Sequence, residues 1–224
     1  MVLIFGSCAA TDVVGSMAIK SFDGMTQALG NNIALNQDEG VFGIRSPDSD
    51  IFRVAQDFNR EITPETPDFE LELAAQPFLD AGLNGTLLAG TDSVQYLLEG
   101  DKLMIRFEWA QVPFAPVPTS ALVPQTQLLE TFKQILANFR DKIGYHEKLD
   151  HYGISLGDGH MFEWAKDLLT NDKDMVFILN PEPLIKAGLD PTKVKGWVFA
   201  KVEILDGAGK TQFVDKLLKP FDVK

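Results

Sequence analysis

Pro77-Phe78-Leu79-Asp80-Ala81-Gly82-Leu83 returns later in the chain as Pro183-Leu184-Ile185-Lys186-Ala187-Gly188-Leu189. Each copy reads as a short helix, started by proline and stopped by glycine. Upstream of both copies the correspondence continues. Phe42-Gly43-Ile44 matches Tyr152-Gly153-Ile154, and at the same offset Asp48 matches Asp158, Phe52 matches Phe162, Ala55 matches Ala165 and Asp57 matches Asp167. Four residues drop out between the two blocks, within which 10 of 23 aligned positions are identical. A repeat on this scale governs the architecture and has to be found before single elements are read.

Each half opens with an apolar stripe at three-to-four spacing, the mark of an amphipathic helix. The first stripe is Ala18, Ile19, Phe22, Met25, Leu29 and Ile33. The second is Leu128, Leu129, Phe132, Ile135, Phe139 and Ile143, with Gly144 as its expected C-cap. A hairpin follows in each half. Val41 to Arg45 and Ile51 to Ala55 flank Ser46-Pro47-Asp48-Ser49-Asp50; Tyr152 to Ser155 and Met161 to Ala165 flank Leu156-Gly157-Asp158-Gly159-His160. Phe69-Glu70-Leu71-Glu72-Leu73 alternates, so its glutamates are expected on a wet face. Met175-Val176-Phe177-Ile178-Leu179 does not alternate, so something is expected to lie over both faces of that strand. Two closing strands end each half: Val94 to Glu99 with Leu103 to Trp109, and Trp197 to Ile204 with Thr211 to Leu217. The expected fold class is α+β, in two duplicated modules, each a long helix packed on a mostly antiparallel sheet. The expected divisions are 1–16 as a signal remnant or tether, 17–110 as the first repeat, 111–125 as a Pro-rich linker, and 126–224 as the second repeat.

The 224 residues carry a net charge of −12, distributed unevenly. Residues 1–110 hold 6 basic and 17 acidic side chains, and 111–224 hold 14 and 15. Nucleic-acid affinity rests mainly on Lys and Arg neutralising phosphates, so a nucleic-acid partner is excluded. An anionic membrane surface is disfavoured for the same reason, leaving membrane attachment only through a lipid anchor. The acidic first module, through Asp38, Glu39, Asp48, Asp50, Glu61, Glu65, Asp68, Glu70 and Glu72, would suit a cationic protein or ligand.

Cys8 is the single cysteine, so no internal disulfide forms. Met1-Val2-Leu3-Ile4-Phe5-Gly6-Ser7-Cys8 is similar to the end of a lipoprotein signal peptide, with small residues just before a cysteine that would receive lipid. Phe5 departs from that pattern, and no basic stretch precedes it. Together with the Pro77–Leu83 and Pro183–Leu189 pair, Asn171-Asp172-Lys173-Asp174 and Asn180-Pro181-Glu182, the chain resembles uncharacterised bacterial lipoproteins built from a tandem repeat. The resemblance implies an extracytoplasmic, lipid-anchored location on a bacterial membrane and a binding or structural role. It carries no catalytic residues.

Chemistry-bearing motifs are sparse. Gly207-Ala208-Gly209-Lys210-Thr211 lacks the leading glycine of a phosphate-binding loop, since Ile204 stands there, and a strand pattern follows it. Asp48, Asp50 and Asp158 lie in turns too short for a calcium loop of the EF-hand kind. His146, His151, His160 and Asp158 form the candidate metal set, although their spacing matches no standard zinc motif. Trp109, Trp164 and Trp197 are candidates for an aromatic ligand groove, with core packing as the ordinary role of such residues. No nucleophile motif is visible and no cofactor is indicated. The sequence therefore favours a non-enzymatic envelope lipoprotein that binds a partner protein or ligand. The alternatives are a hydrolase or metal-dependent enzyme using the His146–His160 region, and an extracellular protein inhibitor.

Overall fold

The computed structural model describes residues 2–3, 8–29, 33–36, 41–55, 69–91, 93–107, 136, 143–146, 149–167, 173–205 and 211–222. Trp109 and the 111–125 linker lie outside them. In chain order the elements are β1 (Val2–Leu3), α1 (Cys8–Leu29), β2 (Ile33–Asn36), β3 (Val41–Arg45), β4 (Ile51–Ala55), β5 (Phe69–Ala74), α2 (Gln76–Asp80), β6 (Val94–Glu99) and β7 (Lys102–Phe107). They continue as β8 (Ile143–His146), β9 (His151–Gly157), β10 (His160–Ala165), β11 (Met175–Leu179), α3 (Glu182–Lys186), β12 (Val198–Leu205) and β13 (Thr211–Phe221).

The strands form two sheets. The first runs β2-β3-β4-β5-β7-β6, and the second, read from β8, runs β8-β9-β10-β11-β13-β12-β1. Strand order is the same in both up to the last member. There the second sheet gains β1, parallel to β12 through Val2 opposite Glu203 and Leu3 opposite Ile204. The segment read as a signal remnant thus contains a two-residue edge strand and the first turns of α1.

The α+β expectation is wrong: the described chain is mostly β, and it does not consist of long helices packed on sheets. The one long described helix, α1, packs mainly against β8 and β10 of the second sheet, across the halves. Phe22 meets Trp164 edge-on at 5.0 Å, and the Ser21 hydroxyl lies 2.8 Å from the Ala165 carbonyl oxygen. Of the stretch expected to form the second long helix, the described part is Leu136, helical and buried, and then a strand. Ile33 and Ile143 continue the helical stripes, yet both open strands, β2 and β8, which pair with β3 and β9. Gly144 sits inside β8 opposite Gly153 and is not a helix cap. A four-residue segment gains more from a full ladder against a hairpin than from one more helical turn, and tertiary pairing overrides the local period.

The two Ala-Gly-Leu segments meet each other. Gly82 and Gly188, at φ +97° and +95°, end α2 and α3 with the 6→1 bond expected of a left-handed C-terminal glycine. The Leu83 N–H donates to the Phe78 carbonyl and the Leu189 N–H to the Leu184 carbonyl, both at 3.0 Å. The Asn84 N–H then donates to the Ala187 carbonyl at 2.8 Å, and the Asp190 N–H donates to the Ala81 carbonyl, also at 2.8 Å. Each bond is the image of the other. The matched Phe52 and Phe162 rings likewise touch, 4.8 Å apart. The halves therefore join about a local two-fold relation, across one shared core that includes Phe52, Leu71, Phe78, Phe107, Phe162, Trp164 and Phe177.

A methyl group on Gly188 would stand 3.0 Å from the Gly82 carbonyl oxygen, on a backbone that L-residues avoid. Gly188→Ala is expected to cost about 1–3 kcal/mol in urea unfolding, from strain and crowding together. A loss within about 0.5 kcal/mol, the range of an ordinary surface change, would mean the junction yields freely.

Candidate functional site

Residues on the outer faces of the two sheets follow the same strand register but differ in charge. In the first sheet Gly43 pairs with Arg53, Arg53 with Glu70, and Glu70 with Arg106. The corresponding row of the second sheet runs Gly144, Gly153, Glu163, Val176 and Pro220.

The first row is electrically closed. Arg106 Nε donates to Glu70 at 2.7 Å, Arg53 Nε donates to Glu72 at 3.0 Å, and Lys102 Nζ lies 2.8 Å from Glu72. Glu70 and Glu72 are only 6% and 8% exposed, which corrects the expectation that they stand on a wet face. Alternation placed them outward, but cationic neighbours on β4 and β7 cover them. Burial raises Glu70 and is only partly offset by Arg106 and Arg53. Glu72 is also pushed up by burial, but its bonds to Lys102 and Arg53 prevail and hold it below the usual carboxylate range.

The second row is not closed. Glu163 points outward from β10, between the inward Phe162 and Trp164, and is 0% exposed. Its neighbour on β11 is Val176, where the first sheet has a counter-charge. On its other side Gly153 leaves space: a Cβ there would lie 3.0 Å from Glu163 Cγ. The carboxylate reaches across that gap to His151 on β9 and His146 on β8, which face each other in the ladder. Glu163 Oε2 is 3.7 Å from His151 Nδ1 and 3.9 Å from His146 Nδ1. Those spacings are close enough for electrostatic attraction but too long for hydrogen bonds. Both histidines are 1% exposed, and none of the four ring nitrogens or the two carboxylate oxygens has a hydrogen-bond partner. Burial pushes the Glu163 carboxyl up, but the two imidazoles outweigh it and hold the group below its ordinary range, as carboxylate. As their side chains stand, no group of three or more His, Cys, Asp or Glu among the described residues is placed to hold a metal ion.

Beside this trio lies a pocket of about 310 Å³, bordered by Leu149, His151, Glu163, Lys173, Val176, Val198, Leu218 and Pro220. Apolar packing continues under it through Met161, Val176, Ile178 and Val202. The second sheet's outer face therefore combines an apolar wall with three buried, unsatisfied polar side chains. Such groups are costly to leave unpaired and are rare in folded proteins.

The remaining candidates are placed elsewhere. His160 is at the far end of the β9–β10 hairpin from His151, because Ala165 pairs with His151 while His160 pairs with Gly157. Its Nε2 is 2.6 Å from the Tyr96 hydroxyl of the first sheet, and the Asn180 N–H donates to its Nδ1 at 3.3 Å. The backbone donor leaves Nδ1 bare, so Nε2 carries the proton and donates to Tyr96. Burial, then the Lys216 ammonium, pushes this imidazole down to about 3. Asp158 sits in the adjoining turn at φ +48°, its carbonyl accepting from the Asn180 side chain at 2.9 Å. The candidate metal set thus divides into His146 with His151, and His160 with Asp158.

Trp164 is fully buried among Phe22, Tyr152 and Phe162. Trp197 is 9% exposed, edge-on to Phe78 at 5.5 Å, with Lys219 Nζ 6.0 Å from its ring. The two do not share a groove. Cys8 is the first residue of α1.

Glu163 was missed in the sequence because it was not part of a motif. Its signal was present: a single acid inside His160-Met161-Phe162-Glu163-Trp164-Ala165, aligned with Arg53 and opposite a glycine. Comparison with protein-family models, curated proteins and solved structures finds no match.

Proposed function

We propose that this chain is a non-enzymatic binding protein of a bacterial cell envelope, held there by lipid on Cys8 once residues 1–7, with the two-residue strand β1, are removed, and that its ligand sits on the outer face of the second sheet. The observation that carries the reading is the contrast between two equivalent rows. In the first sheet Arg53, Glu70 and Arg106 satisfy one another. In the second, Glu163, His151 and His146 are buried and unsatisfied beneath an apolar pocket. The two rows hold equivalent places in their sheets, and only the second leaves its charged side chain without a hydrogen-bond partner. A bound species is the natural partner for polar groups left in that state.

The test is native mass spectrometry of the full chain purified from the envelope of a bacterial host. A retained non-covalent mass, beyond any lipid on Cys8, is expected in the wild type. Val176→Trp, which fills the pocket, is expected to lose it. A wild type that carries no extra mass, or a variant that retains it fully, would contradict the reading. Anchoring is checked separately: lipid incorporation is expected in the wild type and absent in Cys8→Ser, and equal labelling of both would remove the anchor.

A further inference from the structure

We propose that His146, His151 and Glu163 bind a divalent transition-metal ion of the zinc and cobalt type. This rests on the binding reading above and names its ligand chemistry.

Two imidazoles and one carboxylate form a donor set of borderline softness, suited to late first-row divalent ions and poorly suited to calcium or magnesium. All three donors come from adjacent strands of one sheet: β8, β9 and β10. The scaffold is therefore rigid, and no loop has to order. The two Nδ1 atoms face the same carboxylate oxygen, at 3.7 and 3.9 Å. Bonds of about 2.0–2.2 Å to a tetrahedral ion place its ligand atoms about 3.3–3.5 Å apart. Along both of these edges the donors stand a few tenths of an ångström too far apart, a gap that side-chain rotation on metal binding has to close.

Charge points the same way. The carboxylate is buried with no arginine or lysine bonded to it, whereas its counterpart row in the first sheet holds two arginines. A dication between Glu163 and the two imidazoles would add positive charge beside the buried carboxylate and occupy lone pairs that lack donors. Gly153 has a clear part: a side chain there would displace the Glu163 stem that crosses β9. His151 and Glu163 border the pocket, and three protein donors leave a fourth position for a water or a donor atom of an organic ligand.

Metal-free full-length protein is titrated with Co²⁺ and followed by its visible d–d bands, then challenged with Zn²⁺. The expected result is one equivalent bound, displaced by zinc, with a rise in melting temperature for either ion. Glu163→Gln and His151→Gln are each expected to weaken Co²⁺ binding by about tenfold or more. His160→Gln, at the other end of the hairpin, is expected to bind as wild type. Circular dichroism confirms that each variant is folded. Absence of bands and of any melting shift in the wild type overturns the proposal. So does undiminished binding in folded Glu163→Gln and His151→Gln. If the metal fails in this way while native mass spectrometry still finds an organic molecule lost in Val176→Trp, the binding reading survives without it.

Discussion

Phe162→Ala is expected to cost about 3–5 kcal/mol, the range for removing a buried aromatic ring from a packed core. Phe162 is 1% exposed and lies where the halves meet. Its ring centroid is 4.8 Å from that of Phe52, 5.6 Å from Phe177 and 6.0 Å from Trp164. The cavity cannot collapse easily, because its walls belong to two hydrogen-bonded sheets. Urea unfolding checks this: the midpoint should fall with the slope little changed. Phe52→Ala should behave similarly. Its double-mutant cycle with Phe162→Ala should show coupling of about 0.5–1.5 kcal/mol, as for a direct aromatic pair. A loss under about 1 kcal/mol for Phe162→Ala would place the ring outside the core.

Acid is expected to destabilise the protein through His160. In the unfolded chain this imidazole takes a proton near pH 6.5, whereas in the fold burial pushes it down to about 3. Between those values the unfolded state binds more protons, so stability rises with pH across the window. The contribution is complete above about pH 6.5 and is lost progressively as pH falls toward 3. At a maximum of about 1.4 kcal/mol per unit, lowering the pH from 7.5 to 4.5 removes about 3 kcal/mol from this residue alone. Urea unfolding at both values, wild type against His160→Gln, isolates it. The variant's loss over that interval should be smaller by about that amount. Equal losses in the two proteins would mean that His160 is protonated in the fold and does not donate to Tyr96 as a neutral ring.

Most strands were legible. Val41 to Arg45, Ile51 to Ala55, Met175 to Leu179 and Val94 to Glu99 stand where alternation, apolar runs and turn residues put them. Local chemistry writes such segments, because side-chain period and turn conformers are properties of a few neighbouring residues. What failed was non-local. The three-to-four spacing ran through Ile33 and Ile143 into residues that belong to strands, because nothing nearby reports the hairpin edge that captures them. Phe22 and Ser21 look like the face of a helix that covers its own sheet, yet they meet Trp164 and Ala165 of the other half. Glu70 and Glu72 looked solvated because Arg53 and Arg106 reach them only through strand pairing.

The candidate site was half legible for the same reason. His146 and His151 were visible as chemistry, and their five-residue separation is that of partners across a tight hairpin. Glu163 reaches them through Gly153, a contact set by register between β9 and β10 rather than by spacing. His160 looked like their companion by sequence proximity, but it lies at the far end of the hairpin, with its nitrogens satisfied by Tyr96 and Asn180.

The central claim is that the second sheet's outer face, around Glu163, is where this protein binds. The most direct measurement is a crystal structure of the full chain purified under native conditions from a bacterial envelope, read at that one place. Non-protein density within bonding distance of the Glu163 carboxylate and the two imidazoles, extending toward Val176 and Leu218, is the expected result. Glu163, His146 and His151 satisfied by groups of the chain itself, with the pocket closed over by its own side chains, would contradict it.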